Sequence, residues 1–224
     1  MQNRNSKKSK KTEHFAINFR RQKEIFDPQI FRTSITIAGL GNIGSQTAVA
    51  LTRLGLKDFY LYDPDFVEPH NLSSQAYTVN DLKLHKSESL MQILRVINPK
   101  VTILSLPEKY NGTNNIGNIL IIAVDSMKER KRIYQNLLEH NLQHKMIIDG
   151  RMGGPQLEIY TCKTLEEWEK TFVDNPSKDP CGARYICYIS MIIGALIANQ
   201  VKRVLKGETY KKSILFNIDS LQLI

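Results

Sequence analysis

The sequence has 224 residues, which suits one α/β domain, and its 42% hydrophobic and 24% charged residues are typical of a globular protein. The net charge of +9 is unevenly distributed, because residues 1–12 contain five basic residues and no acidic one. We therefore interpret residues 1–14 as a disordered basic tail and residues 15–224 as a single domain. The charge left on that domain, about +4, is too small to require nucleic acid as a partner, although an RNA-binding arm is an alternative for the tail.

The three cysteines, Cys162, Cys181 and Cys187, include no Cys-x-x-Cys pair. Their odd number argues against a disulfide scaffold, and their spacing against a structural zinc site. The basic start does not lead into an apolar segment, as a secretory signal would. The uncharged stretch Tyr185–Val201 has only 17 residues and contains Ser190, so it predicts a buried helix rather than a membrane span. We expect a cytoplasmic protein without a membrane partner.

Strand-like and helix-like segments alternate along the chain, judged by apolar periodicity and by glycine and proline punctuation. In the first half they are a helix over Phe15–Phe31, a strand over Ser34–Leu40, a helix over Ile43–Leu54, a strand over Asp58–Tyr62, a helix capped by Asp81 that runs through Ile97, and a strand over Val101–Leu106. In the second half they are a strand over Asn118–Val124, a helix over Met127–His140, strands over Met146–Asp149 and Gln156–Thr161, a helix over Met191–Leu205, and a strand over Ser213–Ile218.

This alternation predicts an α/β fold with a Rossmann-like, doubly wound and mostly parallel sheet. The strands Gln156–Thr161 and Ser213–Ile218 depart from the pattern and predict an antiparallel extension near the C-terminus. Between them, Lys163–Pro180 is a polar crossover in which Trp168 is expected to be a packing anchor.

The segment between the first strand and its helix has the pattern Gly-x-Gly-x-x-Gly. Glycines there allow a tight turn close to a phosphate group, and the helix N-terminus favours its negative charge. Asp63 follows Gly44 by 19 residues, at the end of the second strand, where an acid can bind ribose hydroxyls. The sequence therefore predicts a nucleotide site that includes Gly39, Gly41, Asn42, Ile43 and Gly44.

The residues after the second strand distinguish between nucleotide-binding classes. No tyrosine has a lysine four residues later, so a pair typical of many NAD(P)-linked dehydrogenases is missing. The stretch Asp63–Gln75 reads DPDFVEPHNLSSQ, and Lys86 stands at the start of a predicted helix. With these motifs in order, the sequence resembles the ThiF/MoeB/HesA family of ubiquitin-activating-enzyme-like adenylyltransferases, from about residue 18 to 149 and more loosely to 206.

The resemblance implies that the protein uses ATP and Mg²⁺ to adenylate a carboxylate, most simply the C-terminal glycine of a small ubiquitin-like carrier protein with a β-grasp fold. By position, Asp63 would hold the ribose, Asn71 and Lys86 the phosphates, and Asp125 the magnesium ion. Arg21 would reach into the site of a partner subunit in a homodimer. Such a reaction gathers negative charge on three phosphates, which calls for a metal ion and cations rather than a covalent nucleophile.

Two further residues of the same motif, Asp65 and Gln75, are included among the predicted nucleotide-binding residues. Each assignment has a simpler alternative. Lys86 could be a surface lysine, Asp125 could only cap the following helix, and Arg21 lies in a basic run.

One position departs from the family pattern, because Ser74 stands where the family usually has arginine. Our hypothesis is that Arg151, together with Arg184, supplies the missing charge. The alternative is a non-catalytic, dimeric scaffold protein. The sequence also allows activation of a carboxylate on modified tRNA, which the basic tail would suit, and an NAD(P)-linked oxidoreductase.

A cysteine on the crossover accepts the activated carrier in some family members. Cys181 is the candidate, since a helix N-terminus and Arg184 would favour its thiolate form; an ordinary free thiol is the alternative. Cys187 is expected to lie within the apolar helix and to be inert. Cys162, which follows the predicted strand Gln156–Thr161, is also expected to be inert.

Overall fold

A computed structural model describes residues 17–113, 117–142, 144–172 and 186–223, so the basic tail, Cys181 and Arg184 lie outside the described residues. The strands are β1 (Ser34–Ala38), β2 (Asp58–Tyr62), β3 (Thr102–Leu106), β4 (Ile119–Ile122), β5 (Met146–Gly153), β6 (Gln156–Cys162), β7 (Ser213–Asn217) and β8 (Gln222–Leu223). The α-helices are α1 (Asn42–Leu54), α2 (Lys86–Ile97), α3 (Met127–Glu139), α4 (Leu165–Glu169) and α5 (Cys187–Lys206). Short 3-10 helices cover Pro28–Ile30, Pro69–Ser73 and Val79–Asp81.

The strands form one sheet in the order β3-β2-β1-β4-β5-β6-β7-β8. Neighbouring strands are parallel from β3 to β5 and antiparallel from β5 to β8. This arrangement confirms the predicted Rossmann-like α/β fold with its antiparallel C-terminal extension. The chain order reverses between β1 and β4, and in such sheets ligands bind beside the carboxyl ends of the strands at that point.

Apolar side chains cover both faces of the central strands. One face packs with α1, α2 and α5 in a cluster that includes Ile37, Leu61 and Ile121. The other face packs with α3 and α4 in a smaller cluster that includes Ile122 and Trp168. Fully buried parallel strands are expected to be continuous apolar runs, and for this reason the central strands can be predicted from the sequence.

The predicted helix over Phe15–Phe31 is wrong for the part that the structure describes. Residues 20–25 form turns, and the Asp27 side chain caps the 3-10 helix that starts at Pro28. The Gln22 side chain donates a hydrogen bond to the Leu54 carbonyl at 2.8 Å, which ties this segment to the C-terminal end of α1. Of the apolar residues that suggested a helix, Phe26 is buried in the core, whereas Ile25 is exposed.

The predicted cap at Asp81 is also wrong. Its carboxylate accepts hydrogen bonds from the Thr78 backbone and hydroxyl, both at 2.7 Å, and closes a 3-10 turn of its own. The α-helix begins five residues later, at Lys86. β5 is longer than predicted and continues to Gly153, because its second half pairs with β6. That pairing is a long-range contact that no local pattern shows.

Within the described residues, α5 is the one helix whose length and composition would suit a membrane span. It packs against α1 and the sheet, with Ile193 and Ile197 fully buried. Its polar residues Ser190 and Gln200 are buried too, and the Gln200 side chain accepts a hydrogen bond from the Lys211 backbone at 3.1 Å. These contacts agree with the predicted core helix.

A buried histidine makes the stability of the fold depend on pH. His144 Nδ1 bonds the Gly117 carbonyl at 2.9 Å, and its Nε2 lies 3.4 Å from the Tyr110 hydroxyl, an arrangement that fits a neutral ring. Burial lowers the pKa of His144 to about 4. The unfolded chain therefore binds a proton below about pH 6.5 that the folded chain does not bind until about pH 4, so this contribution to stability is complete above pH 6.5 and lost as pH falls.

We expect the free energy of unfolding to fall by about 2 kcal/mol between pH 7 and pH 5 through this residue. A His144→Gln variant should be less stable at pH 7 but should lack this part of the pH dependence. Urea unfolding at several pH values would measure it, with the exposed His140 replaced by glutamine as the control. An equal pH dependence in the wild type and His144→Gln would contradict the assignment.

Candidate nucleotide site

The glycine loop lies at the carboxyl ends of β1 and β4, where the sheet order reverses. Gly39 has a φ of +89°, and a Cβ there would lie 2.6 Å from the Ala123 carbonyl oxygen, so only glycine fits between the two strand ends. At Gly44 a Cβ would overlap the carbonyl oxygen of Gly39, so the start of α1 packs directly on the loop. These contacts place the predicted phosphate loop in the crevice that the topology creates. The Ile43 side chain belongs to the core, so it can offer a ligand only its backbone.

Asp63 connects the end of β2 to this loop. One carboxylate oxygen accepts the Leu40 backbone N–H at 2.7 Å, and the other accepts the Asp65 N–H at 2.9 Å. Burial raises the pKa of the Asp63 carboxyl, although the positive charge of Lys86 opposes the shift. Asp63 thus fixes the loop in addition to occupying the position expected for a ribose-binding acid.

Tyr77 joins the loop to α2, although no sequence motif predicts it as a site residue. Its hydroxyl donates a hydrogen bond to the Leu40 carbonyl at 2.8 Å and lies 3.3 Å from the Lys86 carbonyl. Burial raises the pKa of Tyr77 well above its usual value, so it remains a donor. Nothing in the local sequence signals this contact, because Tyr77 and Leu40 are 37 positions apart.

Lys86 is the first residue of α2 and is almost completely buried. Its Nζ lies 2.9 Å from an oxygen of Asp65, whose own side chain is 64% exposed. The two residues line a cavity of about 300 Å³ together with Asn71 and the half-exposed Phe66. Asn71 is buried, and its side-chain oxygen accepts the Glu68 N–H at 2.9 Å, which fixes the amide at the cavity. The structure therefore brings together the predicted residues Asp65, Asn71 and Lys86.

Asp125 is exposed and follows the last residue of β4 by three positions. The cap of α3 is Ser126, whose hydroxyl accepts the Glu129 N–H at 3.3 Å, so the capping alternative for Asp125 is wrong. Among the described residues no group of three or more histidine, cysteine, aspartate or glutamate side chains could hold a metal ion. A single carboxylate nevertheless fits Mg²⁺ as nucleotide sites bind it, because the phosphates and waters supply most ligands.

Ser74 and Gln75 lie against the glycine loop. The Ser74 hydroxyl donates a hydrogen bond to the Asn42 side-chain oxygen at 2.7 Å. The Gln75 Nε2 lies 3.9 Å from the position that a Cβ would take at Gly41. The serine that replaces the family arginine is therefore in direct contact with the loop.

Arg151 takes part in a buried cluster instead. Its guanidinium bonds one oxygen of Asp149 through Nε at 3.0 Å and Nη2 at 2.6 Å, and it also donates to the carbonyl and hydroxyl of Thr171. Arg130 and the Trp168 indole also bond Asp149, at 2.9 and 3.0 Å. Burial would raise the pKa of Asp149, but the two arginines and the indole bring it below its usual value. The hypothesis that Arg151 replaces the missing cation gains no support from these contacts, whereas Trp168 is the packing anchor that the sequence predicts.

The described cysteines differ from one another in exposure. Burial raises the pKa of Cys162 to about 12, in agreement with an inert thiol. Cys187 belongs to α5, as expected, but it is the first residue of the helix and only half-buried. The proposed acceptor Cys181 lies outside the described residues.

Arg21 is exposed on the N-terminal segment, which is bound to the C-terminal end of α1. The glycine loop lies at the opposite end of this 13-residue helix. That separation is about 20 Å, so Arg21 is far from the loop of its own chain.

The glycine loop lies at the switch point of a doubly wound sheet, and Tyr77 connects it to the buried Lys86, which pairs with the exposed Asp65. This combination defines a Rossmann-like protein of the nucleotide-binding type. A family model described as "ThiF family" matches residues 16–223, and the chain belongs to that family.

Named relatives match parts of the chain. Ubiquitin-like modifier-activating enzyme 5 from Aedes aegypti is 38% identical over 85 residues, which are 38% of this chain and 21% of the relative. A probable molybdopterin-synthase adenylyltransferase from Porphyra purpurea is 25% identical over 204 residues, which are 84% of this chain and 51% of the relative. The chain thus spans about half or less of the length of these relatives.

Solved structures agree on the fold. A crystal structure of E. coli MccB with ATP superposes with a TM-score of 0.69 at 16% identity, over 86% of this chain and 63% of that one. PaaA gives the same TM-score at 15% identity, with the same coverage. At these identities the likeness establishes the shared fold.

Proposed function

We propose that this protein is an ATP-dependent adenylyltransferase that activates the carboxylate of a small ubiquitin-like carrier protein. The observation that carries the proposal is the glycine loop at the ends of β1 and β4, which Asp63 and Tyr77 connect to the cavity that Asn71 and Lys86 line beyond the end of β2. Asp125 follows the neighbouring strand β4 by three positions. Membership of the ThiF family and relatives named as activating enzymes and adenylyltransferases support the same activity.

Each residue has a separable task in this mechanism. The backbone of the glycine loop and the start of α1 face the phosphates, while Asp63 offers its carboxylate to the ribose. Lys86 and the Asn71 amide stabilise negative charge on the phosphates as the carboxylate attacks the α-phosphorus and pyrophosphate leaves. Asp125 would hold Mg²⁺, which supplies additional neutralisation of the triphosphate. Tyr77 keeps the loop and Lys86 in fixed relation.

A carrier protein is the substrate that the named relatives favour. Ubiquitin-like modifier-activating enzyme 5 is named for a ubiquitin-like protein, and one MccB crystal structure contains both a nucleotide analogue and MccA. Carrier-dependent exchange of labelled pyrophosphate into ATP tests the proposal, with candidate carriers chosen for a C-terminal Gly-Gly. ATP binding without any exchange would instead favour the scaffold alternative, and NAD binding without ATP binding would favour the oxidoreductase.

We also propose that the protein acts as a homodimer. The exposed side of α5 carries Tyr188 and Met191 at 44% and 55% exposure, next to Ile186 at 45%. A cluster of large exposed apolar side chains on one helix is a typical association surface. Arg21 supports the same proposal, because its distance from its own glycine loop leaves a partner's site as the place where it could act.

Mixing two inactive variants tests the dimer and Arg21 together. Arg21→Ala and Asp125→Ala should each be impaired, but co-refolded dimers that combine them contain one intact site, which restores about a quarter of the wild-type sites in a random mixture. Light scattering would confirm the dimeric mass. A monomeric mass at micromolar concentration, or no recovery in proven mixed dimers, would contradict the role of Arg21 across the interface.

A further inference from the structure

The segment Ser74–Ala76 is fastened to the first turn of α1 by two hydrogen bonds. The Ser74 hydroxyl donates to the Asn42 side-chain oxygen at 2.7 Å, and the Ala76 backbone N–H donates to the Ser45 hydroxyl at 3.1 Å. Ser74 and Ser45 are both buried. The orientation of the Asn42 side chain is therefore set by a buried hydrogen-bond donor, the Ser74 hydroxyl.

Asn42 occupies a position at which an anion would be favoured. It is the first residue of α1 and directly follows Gly41, which makes no side-chain cap. The first turn of α1 contains no acidic residue, so the positive end of the helix dipole lacks a compensating charge. Because Ser74 engages the oxygen of the planar amide, the nitrogen of Asn42, with its two N–H donors, points away from Ser74.

The neighbouring glutamine contributes a second amide at the same loop. The Gln75 Nε2 lies beside Gly41, and its Oε1 is buried without a hydrogen-bond partner among the residues that the structure describes. Two neutral amides thus flank the loop. The Asn42 amide is held in place by the Ser74–Ala76 segment, and the Gln75 amide belongs to that segment. An arginine at position 74 would have brought a cation to this place instead.

We infer that Ser74 is a positioning residue that turns the Asn42 amide nitrogen toward the nucleotide phosphates. This inference rests on the proposed function and deepens it. Neutral donors at the loop leave Lys86 and the metal ion to supply the positive charge. The protein then retains phosphate binding without the arginine, and Ser74 marks a rearranged site rather than an inactive one.

Removal of the hydroxyl tests the role of Ser74. Equilibrium binding of MgATP to Ser74→Ala, measured by calorimetry, should be weaker by about fivefold, the loss expected for one hydrogen bond. In pyrophosphate exchange the KM for ATP should rise by the same factor with little change in kcat, because the contact binds substrate and transition state alike. Ser73→Ala is the matched control, since Ser73 is exposed and its hydroxyl bonds only the local His70 carbonyl, at 3.2 Å, among the described residues.

Asn42→Asp separates a binding role from a structural one. An aspartate keeps the size of the side chain and can still accept the Ser74 hydrogen bond, and its charge at the helix N-terminus should maintain or raise the melting temperature. Its repulsion of phosphate should weaken MgATP binding by more than about tenfold. A more stable protein that binds ATP less well is the expected result. If the wild type binds MgATP, unchanged ATP affinity in Asn42→Asp or in folded Ser74→Ala would overturn this inference but leave the proposed function standing. A wild type that fails to bind MgATP would overturn the proposed function as well.

Discussion

Asp125→Ala is expected to abolish carrier-dependent pyrophosphate exchange while changing the free energy of unfolding by less than about 0.5 kcal/mol. The side chain is exposed and follows the last residue of β4 by three positions, so its truncation leaves no cavity. The cap of α3 also survives, because Ser126 provides it. Loss of the carboxylate would remove the one protein ligand proposed for Mg²⁺. Exchange assays over a range of Mg²⁺ concentrations, together with urea unfolding, would measure both effects.

Ser126, the next residue, provides a control in which stability is expected to fall while activity is retained. Ser126→Ala removes the helix cap and should lower stability by about 1 kcal/mol, with exchange activity retained at a temperature where the protein is folded. If Asp125→Ala were fully active with the true carrier present, Asp125 would not belong to the metal site. If both variants lost activity and stability together, the loop would act structurally and the metal assignment would lose its support.

The local sequence pattern is sufficient to predict the central strands and the glycine loop. β2 has the predicted bounds, and α1 differs by one residue at its start, because apolar runs and Gly55 mark these elements within the segment itself. The motif between Asp63 and Lys86 likewise predicts site residues that lie around one cavity. It can do so because the chain folds back on itself after β2: Phe66 pairs with His85, and the Lys86 backbone N–H donates a hydrogen bond to the Asp65 carbonyl.

Contacts between distant parts of the chain cannot be predicted in this way. Tyr77 and Ser74 act on the loop across 37 and 32 positions, and only the folded chain brings them there. The cluster around Asp149 depends on the meeting of α3, β5 and α4. An arginine at a strand end looks like a phosphate ligand in the sequence, but this one neutralises a buried carboxylate.

That cluster also changes what a substitution of Arg151 would report. Asp149 is completely buried, and its charge is balanced by Arg130 and Arg151. Removing one partner from a buried ion pair destabilises the fold, since the remaining charge loses its compensation. Weak activity of an Arg151 variant would therefore not distinguish a phosphate ligand from a damaged core, and tests of the site have to use residues whose loss leaves the fold intact.

Lys86 is expected to meet that condition within the proposed phosphate site. Lys86→Met should lower the rate of pyrophosphate exchange by about 10²-fold, the usual effect of deleting one group that stabilises transition-state charge. The same change should leave stability unchanged or slightly higher, because a buried ammonium at the N-terminus of α2 opposes the helix dipole. Its partner Asp65 is mostly exposed and would be solvated after the substitution. Thermal unfolding and carrier-dependent pyrophosphate exchange, measured on the same preparation, would show whether activity falls while stability is kept. Lys83→Met, at an exposed position before α2, is the control and should change neither activity nor stability.

A fully active Lys86→Met protein would exclude Lys86 from the phosphate site. A strongly destabilised one would show instead that the ion pair with Asp65 holds the start of α2 in place.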